Sequence, residues 1–337
     1  MNSYLPLICG IAGKKLSLEE IKFIKEYSPW GIILFERNCI SNEQVRALTE
    51  ELKNFTHEFL PIFIDQEGGR VSRINYSNSY EFLPARRFGE IILKNNKLGK
   101  KALYLNTQLS ALILKKLGIN TNTIPVLDIP SENESGIIGD RSYSLDKEIV
   151  SMAGEIVISC LLDHGIAPVI KHIPGHGRAS VDSHLDLPIV DTDQNTLFKN
   201  DFYPFIENNN VELAMTAHIT YSAIDPNNPA TLSKEVILKV IRETINYQGL
   251  LITDDISMKA ITIPTEQAAI KALESGCDLV LHCNGNLNEM NAVAQNIKDQ
   301  FELISIPEKV LDTFKVKSEK QLDELEQELK NVIEALE

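Results

Sequence analysis

The chain has 337 residues, 43% hydrophobic and 24% charged, the ordinary make-up of a soluble globular protein. Its formal net charge of −14 argues against a phosphate-backbone partner, and its densest basic stretch, Lys94–Lys101, reads as the start of a surface helix. No apolar run approaches the ~20 residues of a membrane span, and five cysteines without a CxxC pair fit a reducing compartment better than a disulfide framework.

The N-terminus, MNSYLPLICGIAGKK, has no basic stretch ahead of its short apolar run. It therefore reads as a first strand and not as an export signal, and the cytoplasm is the expected location. Apolar runs then recur at Leu5–Cys9, Gly31–Phe35, Pro61–Asp65, Thr123–Asp128, Ala167–Lys171, Glu212–Thr216, Gly249–Asp254 and Asp278–His282. Near-continuous apolar runs mark strands buried on both faces, as in parallel sheets. Helical segments lie between them, with start signals at Ser41–Gln44, Ser233–Val236 and Thr265–Ala268. Eight strands alternating with helices predict a single-domain α/β fold, a (β/α)8 TIM barrel over residues 1–337. A doubly wound sheet would show a glycine fingerprint after its first strand, and none is present.

Two connections are long, 66–97 after the third strand and 172–211 after the fifth, and long connections are more often functional than accidental. From about residue 306 to 337 the spacing predicts a charged helix packed on the barrel exterior or trailing it.

In a barrel the chemistry belongs at the C-terminal strand ends. Those positions hold Asp65, Asp128, Lys171 and His172, Thr216 with His218, Asp254 and Asp255, and His282. Asp254 leaves a rigid strand and suits a nucleophile, a metal ligand or a cation clamp. Asp182 and His184, two apart in a long connection, share a side if extended, so the carboxylate can orient the imidazole. Arg73 and Arg141 offer planar forks for an oxygen-rich ligand. Three chemistries remain open at this level. A metal-dependent barrel hydrolase would use His172, His176, Asp182, His184 and Asp254; a Schiff-base enzyme would use Lys171; a glycosidase would use Asp254 as nucleophile.

The wording of the motifs goes further. KHIPGHG followed by VDSH at the fifth strand, FIDQEGGRVSRI at the third, IIGDRSYS after the fourth and LITDDISMKA at the seventh closely resemble the β-N-acetylglucosaminidase branch of glycoside hydrolase family three. RNCISNEQVRALTEEL, NNPATLSKEVI and ESGCDLVLHCN are similar to that family as well, so the resemblance runs through nearly the whole chain in order. It implies Asp254 as nucleophile, His184 as acid/base and Asp182 as its dyad partner. It implies Asp65, Arg73, Arg141, Lys171 and His172 as ligands of the sugar hydroxyls, and gives His176 a loop-stabilising part. No metal or cofactor is implied.

The chain is short for the broad family, and a second α/β domain is not expected. It resembles the compact enzymes that trim N-acetylglucosamine from peptidoglycan fragments in the bacterial cytosol. The implied partner is a sugar substrate, an N-acetylglucosaminyl muropeptide or a chitooligosaccharide, with a monomer expected and no nucleic acid or membrane. The stretch VLDIPSENESGIIGD is longer and more polar than the family pattern, which points to the aglycone side as the place of departure.

Overall fold

The structure, a computed structural model, describes residues 3–76, 80–131, 137–179, 187–316 and 322–334. Strands β1 (Ser3–Gly10), β2 (Pro29–Leu34), β3 (Ile62–Ile64), β4 (Thr121–Asn122), β5 (Ala167–Ile173), β6 (Ile189–Val190), β7 (Leu213–Thr216), β8 (Thr220–Tyr221), β9 (Leu250–Asp255), β10 (Leu279–His282) and β11 (Ile304–Ser305) follow one another along the chain. Among the described residues, eight of these pair in parallel in the order β1-β2-β3-β4-β5-β7-β9-β10. The last returns to the first through Leu7–Val280, Ile8–Leu281 and Cys9–His282, so the sheet closes. This is the (β/α)8 barrel that the eight apolar runs imply.

The pleat explains why those runs are apolar throughout. Successive side chains on a strand face opposite ways. Leu7 and Cys9 join the layer beneath the helices, whereas Ile8 between them joins the barrel interior; Ile32, Ile33 and Leu34 repeat the division. Both faces are dry, so polar residues are few until the strand ends, and those present, such as Asn122 and Thr253, are hydrogen-bonded. The helices begin where local chemistry says they should. Ser41 Oγ accepts from the amide of Gln44 at 3.2 Å, and Ser233 Oγ from that of Val236 at 3.1 Å.

Two elements differ from the sequence-based expectation. The fourth strand was expected over 123–128, but its regular ladder holds only Thr121 and Asn122. Pro125 has no amide hydrogen to give the ladder, which breaks there. Pairing resumes beyond it as a single bridge from Val126 to Lys171, with Leu127 N donating to Lys171 O at 2.7 Å. The second difference is at the C-terminus, where a single helix was expected from about residue 306. The described residues instead form a short helix, Glu308–Thr313, and a longer one, Leu322–Glu334. β11 pairs antiparallel with the start of β1, and Ile306 and Val310 then join Trp30 and Phe63 in the interior cluster, so this segment closes the N-terminal floor of the barrel. Leu325 and Leu329 of the longer helix are buried and pack against the helix Asn96–Lys116.

Trp30 is completely buried in that floor. Trp30→Ala is expected to lower the unfolding free energy by about 3–5 kcal/mol, as cavity-forming changes of an aromatic do. Denaturant titration checks it; a loss below about 1 kcal/mol would show that the floor does not depend on this ring.

Candidate active site

The polar strand ends converge on a cavity of about 160 Å³ at the C-terminal mouth of the barrel. Asp65, Arg73, Arg141, Lys171, His172 and Asp254, all expected from sequence as site residues, line it together with Glu67, His176 and Asp255. Phe35, Met215, Met258 and Cys283 supply apolar wall. Asp182 and His184 lie outside the described residues.

The charged groups on the third- and fifth-strand side form one network. Lys171, at the end of β5 and nearly fully buried, puts its Nζ 3.0 Å from Asp65 Oδ1, 2.7 Å from Glu67 Oε1 and 2.9 Å from Thr123 Oγ1. Thr123 donates its hydroxyl to Asp65. Arg73 Nη2 reaches Asp65 Oδ2 at 3.0 Å, and Arg141 grips Glu67 with two parallel bonds of 2.8 Å, a bidentate fork. An amine hydrogen-bonded to a carboxylate and a hydroxyl and ion-paired with a second carboxylate is a charged partner, not the desolvated nucleophile of a Schiff base.

Electrostatics follow from this packing. Burial pushes the Asp65 carboxyl up, but the Lys171 ammonium and then the Arg73 guanidinium outweigh it and hold it well below the usual carboxylate range. Glu67 behaves alike: burial raises it, and Arg141 and Lys171 bring it down to about 2.

Opposite this network, His172 is aimed by Asp128. The fully buried Asp128 carboxylate takes His172 Nδ1 at 2.7 Å and the His176 amide at 2.6 Å. An ionised carboxylate only accepts, so Nδ1 carries the hydrogen and Nε2 is the ring nitrogen left for the cavity. Ser142 Oγ donates to the Asp128 carbonyl at 2.7 Å, which holds the turn Gly139–Arg141 against the end of the fourth strand.

Asp254 ends β9. Its amide donates to Thr216 Oγ1 at 3.2 Å, and its Oδ1 accepts from the Asp255 amide at 2.8 Å. Burial raises its carboxyl, yet His218, His172 and the Asp255 amide together hold it below its ordinary value. The carboxylate is thus ionised, half-buried and rigidly mounted. Asp255 takes a structural part, accepting from the Ser257 and Cys283 amides at 3.0 and 3.1 Å. His218 and His282 stand behind the mouth: His218 bridges Thr231 and the Asp255 carbonyl, and His282 faces Glu289. Among the described residues, no group of three or more His, Cys, Asp or Glu is arranged to hold a metal ion.

A rigid carboxylate facing a cluster of forked and aimed donors suits the binding and cleavage of a polyhydroxylated ligand, and the known proteins that match this chain agree. The glycosyl hydrolase family 3 N-terminal domain matches residues 7–317. The chain belongs to glycosyl hydrolase family 3. The beta-hexosaminidase of Hydrogenovibrio crunogenus is 36% identical over 261 residues, 75% of this chain and 71% of that protein. NagZ from Neisseria gonorrhoeae, solved in complex with N-trifluoroacetyl-D-glucosamine, superposes with a TM-score of 0.83 at 26% identity, covering 99% of this chain and 98% of that one. A family 3 beta-N-acetylglucosaminidase from Paenibacillus sp. FPU-7 superposes at 0.81 with 30% identity; the chain spans 62% of its length. This family 3 member is a glycoside hydrolase of the β-N-acetylhexosaminidase type.

Glu67 was missed as a site residue from sequence, although it stands two positions after Asp65, where an extended chain returns to the same side. Thr123 carried no signal, since a threonine inside an apolar run reads as a strand residue. Removing the charge with Glu67→Gln is expected to cost about 3–5 kcal/mol of stability, because Arg141 and Lys171 are left buried without it. The pH dependence has a definite sign. A carboxyl depressed from 4.5 to about 2 stabilises the fold fully above 4.5, and that share is lost as pH falls toward 2. Wild-type melting temperature is expected to fall through that window, and Glu67→Gln to start lower and fall less steeply; parallel curves would exclude the role.

Proposed function

We propose that this enzyme is a retaining, exo-acting β-N-acetylglucosaminidase with Asp254 as nucleophile and His184, aimed by Asp182, as acid/base. The observation that carries the reading is Asp254 itself: a half-buried carboxylate held ionised at a strand end, in a cavity of about 160 Å³ rimmed by oxygen-binding groups. In the first step a carboxylate oxygen of Asp254 attacks the anomeric carbon. The bond to the aglycone breaks, its electron pair leaves with the aglycone oxygen, and that oxygen takes a proton from the His184 imidazolium. In the second step the neutral imidazole takes a proton from water, whose oxygen displaces Asp254 at the same carbon. Two inversions give net retention.

Binding is assigned to the two sides of the cavity. The Asp65, Arg73 and Lys171 group holds sugar hydroxyls on one side, with His172 Nε2 on the other and Arg141 beside Glu67 at the rim. Such preorganised donors cost no rearrangement when charge develops at the ring. The substrates proposed are N-acetylglucosaminyl muropeptides from peptidoglycan. The terminal sugar enters the cavity, and the aglycone extends past its mouth. Neither step uses a metal ion.

Hydrolysis of 4-nitrophenyl N-acetyl-β-glucosaminide in EDTA tests the scheme. Wild type is expected to keep its rate with chelator, and Asp254→Asn to lose at least ~10³-fold in kcat, the scale of a missing essential catalytic group. The first product seen by NMR is expected to be the β-anomer. Loss with EDTA, survival of the Asn variant or an α-anomer would each overturn the mechanism. Comparing an anhydro-muropeptide with chitobiose by kcat/KM tests the substrate assignment, which fails if chitobiose is preferred.

A further inference from the structure

The connection from β5 to β7 carries Asp182 and His184 in sequence, and the described residues at its two ends are held unusually firmly. At the entry end, the His176 amide donates to Asp128 at 2.6 Å and Ser131 N donates to the Gly177 carbonyl at 3.2 Å. Gly177 packs so tightly that a Cβ there would stand 1.8 Å from the Ile129 carbonyl oxygen. Arg178 Nε bonds both oxygens of the buried Asp201 at 2.8 Å. At the exit end, β6 pairs with β8 through Ile189–Thr220 and Val190–Tyr221, with Thr220 N donating to Pro188 O at 3.0 Å and Ser222 N to Val190 O at 3.1 Å.

One side chain joins the two ends. Tyr221 is the β8 partner of Val190 at the exit, and its hydroxyl donates to the Gly175 carbonyl at the entry, at 2.5 Å. Its ring is fully buried and meets Phe202 edge-on. A phenylalanine would fill the core as well, so packing alone does not account for the hydroxyl. Burial raises the phenol far above its ordinary value, so the group stays a neutral donor over the whole working range.

We propose that Tyr221 is a positioning residue for the acid/base: its hydroxyl ties the entry end at Gly175 to the exit end at Val190, and so sets where the segment between them delivers its proton. This rests on the assignment of His184 as acid/base. Tyr221 is not among the residues that line the cavity, so it acts on the reaction through the backbone it holds.

The test uses leaving groups of different need. A 2,4-dinitrophenyl glycoside departs without a proton, whereas chitobiose requires one. For Tyr221→Phe, kcat/KM on chitobiose is expected to fall roughly 10- to 100-fold, the scale of a misplaced catalytic group. On the dinitrophenyl glycoside it should change less than about 3-fold, while kcat falls because water activation in the second step is slowed, and azide, which needs no base, should restore it. Asp201→Asn, which weakens the hold of Arg178 on the entry end, is expected to act in the same direction. Equal losses on both substrates, or no loss on either, would overturn the proposal. His184→Ala is measured alongside. If it shows the leaving-group dependence and Tyr221→Phe does not, the strut alone is wrong; if His184→Ala lacks it, the acid assignment falls and the proposal with it.

Discussion

The ammonium of Lys171 is the pivot on which the mouth of this barrel depends. It is buried against two carboxylates that come from one connection, Asp65 and Glu67, and each of those holds a further cation, Arg73 or Arg141. No single pair here would be worth much after desolvation. As a network, with each carboxylate shared between two cations and Thr123 filling the remaining position, the charges compensate one another. They also fix three separate segments, the ends of β3 and β5 and the Gly139–Arg141 turn, into one wall. A mobile arginine pair at the surface could not do this, because solvent and side-chain entropy would cancel its gain.

The opposite wall works by aim. Asp128 has no exposure and spends its lone pairs on the His172 ring, the His172 amide and the His176 amide. The imidazole is thereby set in one tautomer and one orientation, and His176, pressed edge-on to His172, is held by burial and its neighbour with a pKa lowered to about 4, hence neutral. Between the walls Asp254 stays ionised, since histidines and an amide compensate its burial. The proposed chemistry thus divides between a rigid carboxylate on a strand and a proton carrier on a connection whose ends are strapped.

The barrel beneath explains why these positions can be so polar. Its interior is filled to the floor by Trp30, Phe63 and the incoming Ile306 and Val310, so the strands do not need their C-terminal ends for core packing. Stability and chemistry are housed at opposite ends of the same strands.

Much of this was legible in the chain, for reasons that differ by element. Eight doubly buried strands leave apolar runs that no surface element would carry, and a polar residue ending such a run is conspicuous, which is how Asp65, Lys171 and Asp254 stood out. The motif wording named the family. The fourth strand was less legible, because Pro125 breaks a ladder whose apolar pattern continues unbroken. The C-terminal segment was legible in part: its longer helix packs on the exterior as expected, but the short helix before it plugs the barrel floor, and the two have the same local pattern. What the sequence determined by itself was the barrel, the family and most of the polar cast. Only the tertiary structure decided who holds whom: that Glu67 joins Arg141 to Lys171, that Asp128 aims His172, and that Tyr221 spans two ends of one connection. Those hydrogen bonds and ion pairs join residues 44 to 104 positions apart, and local chemistry carries no record of a partner that only folding brings near.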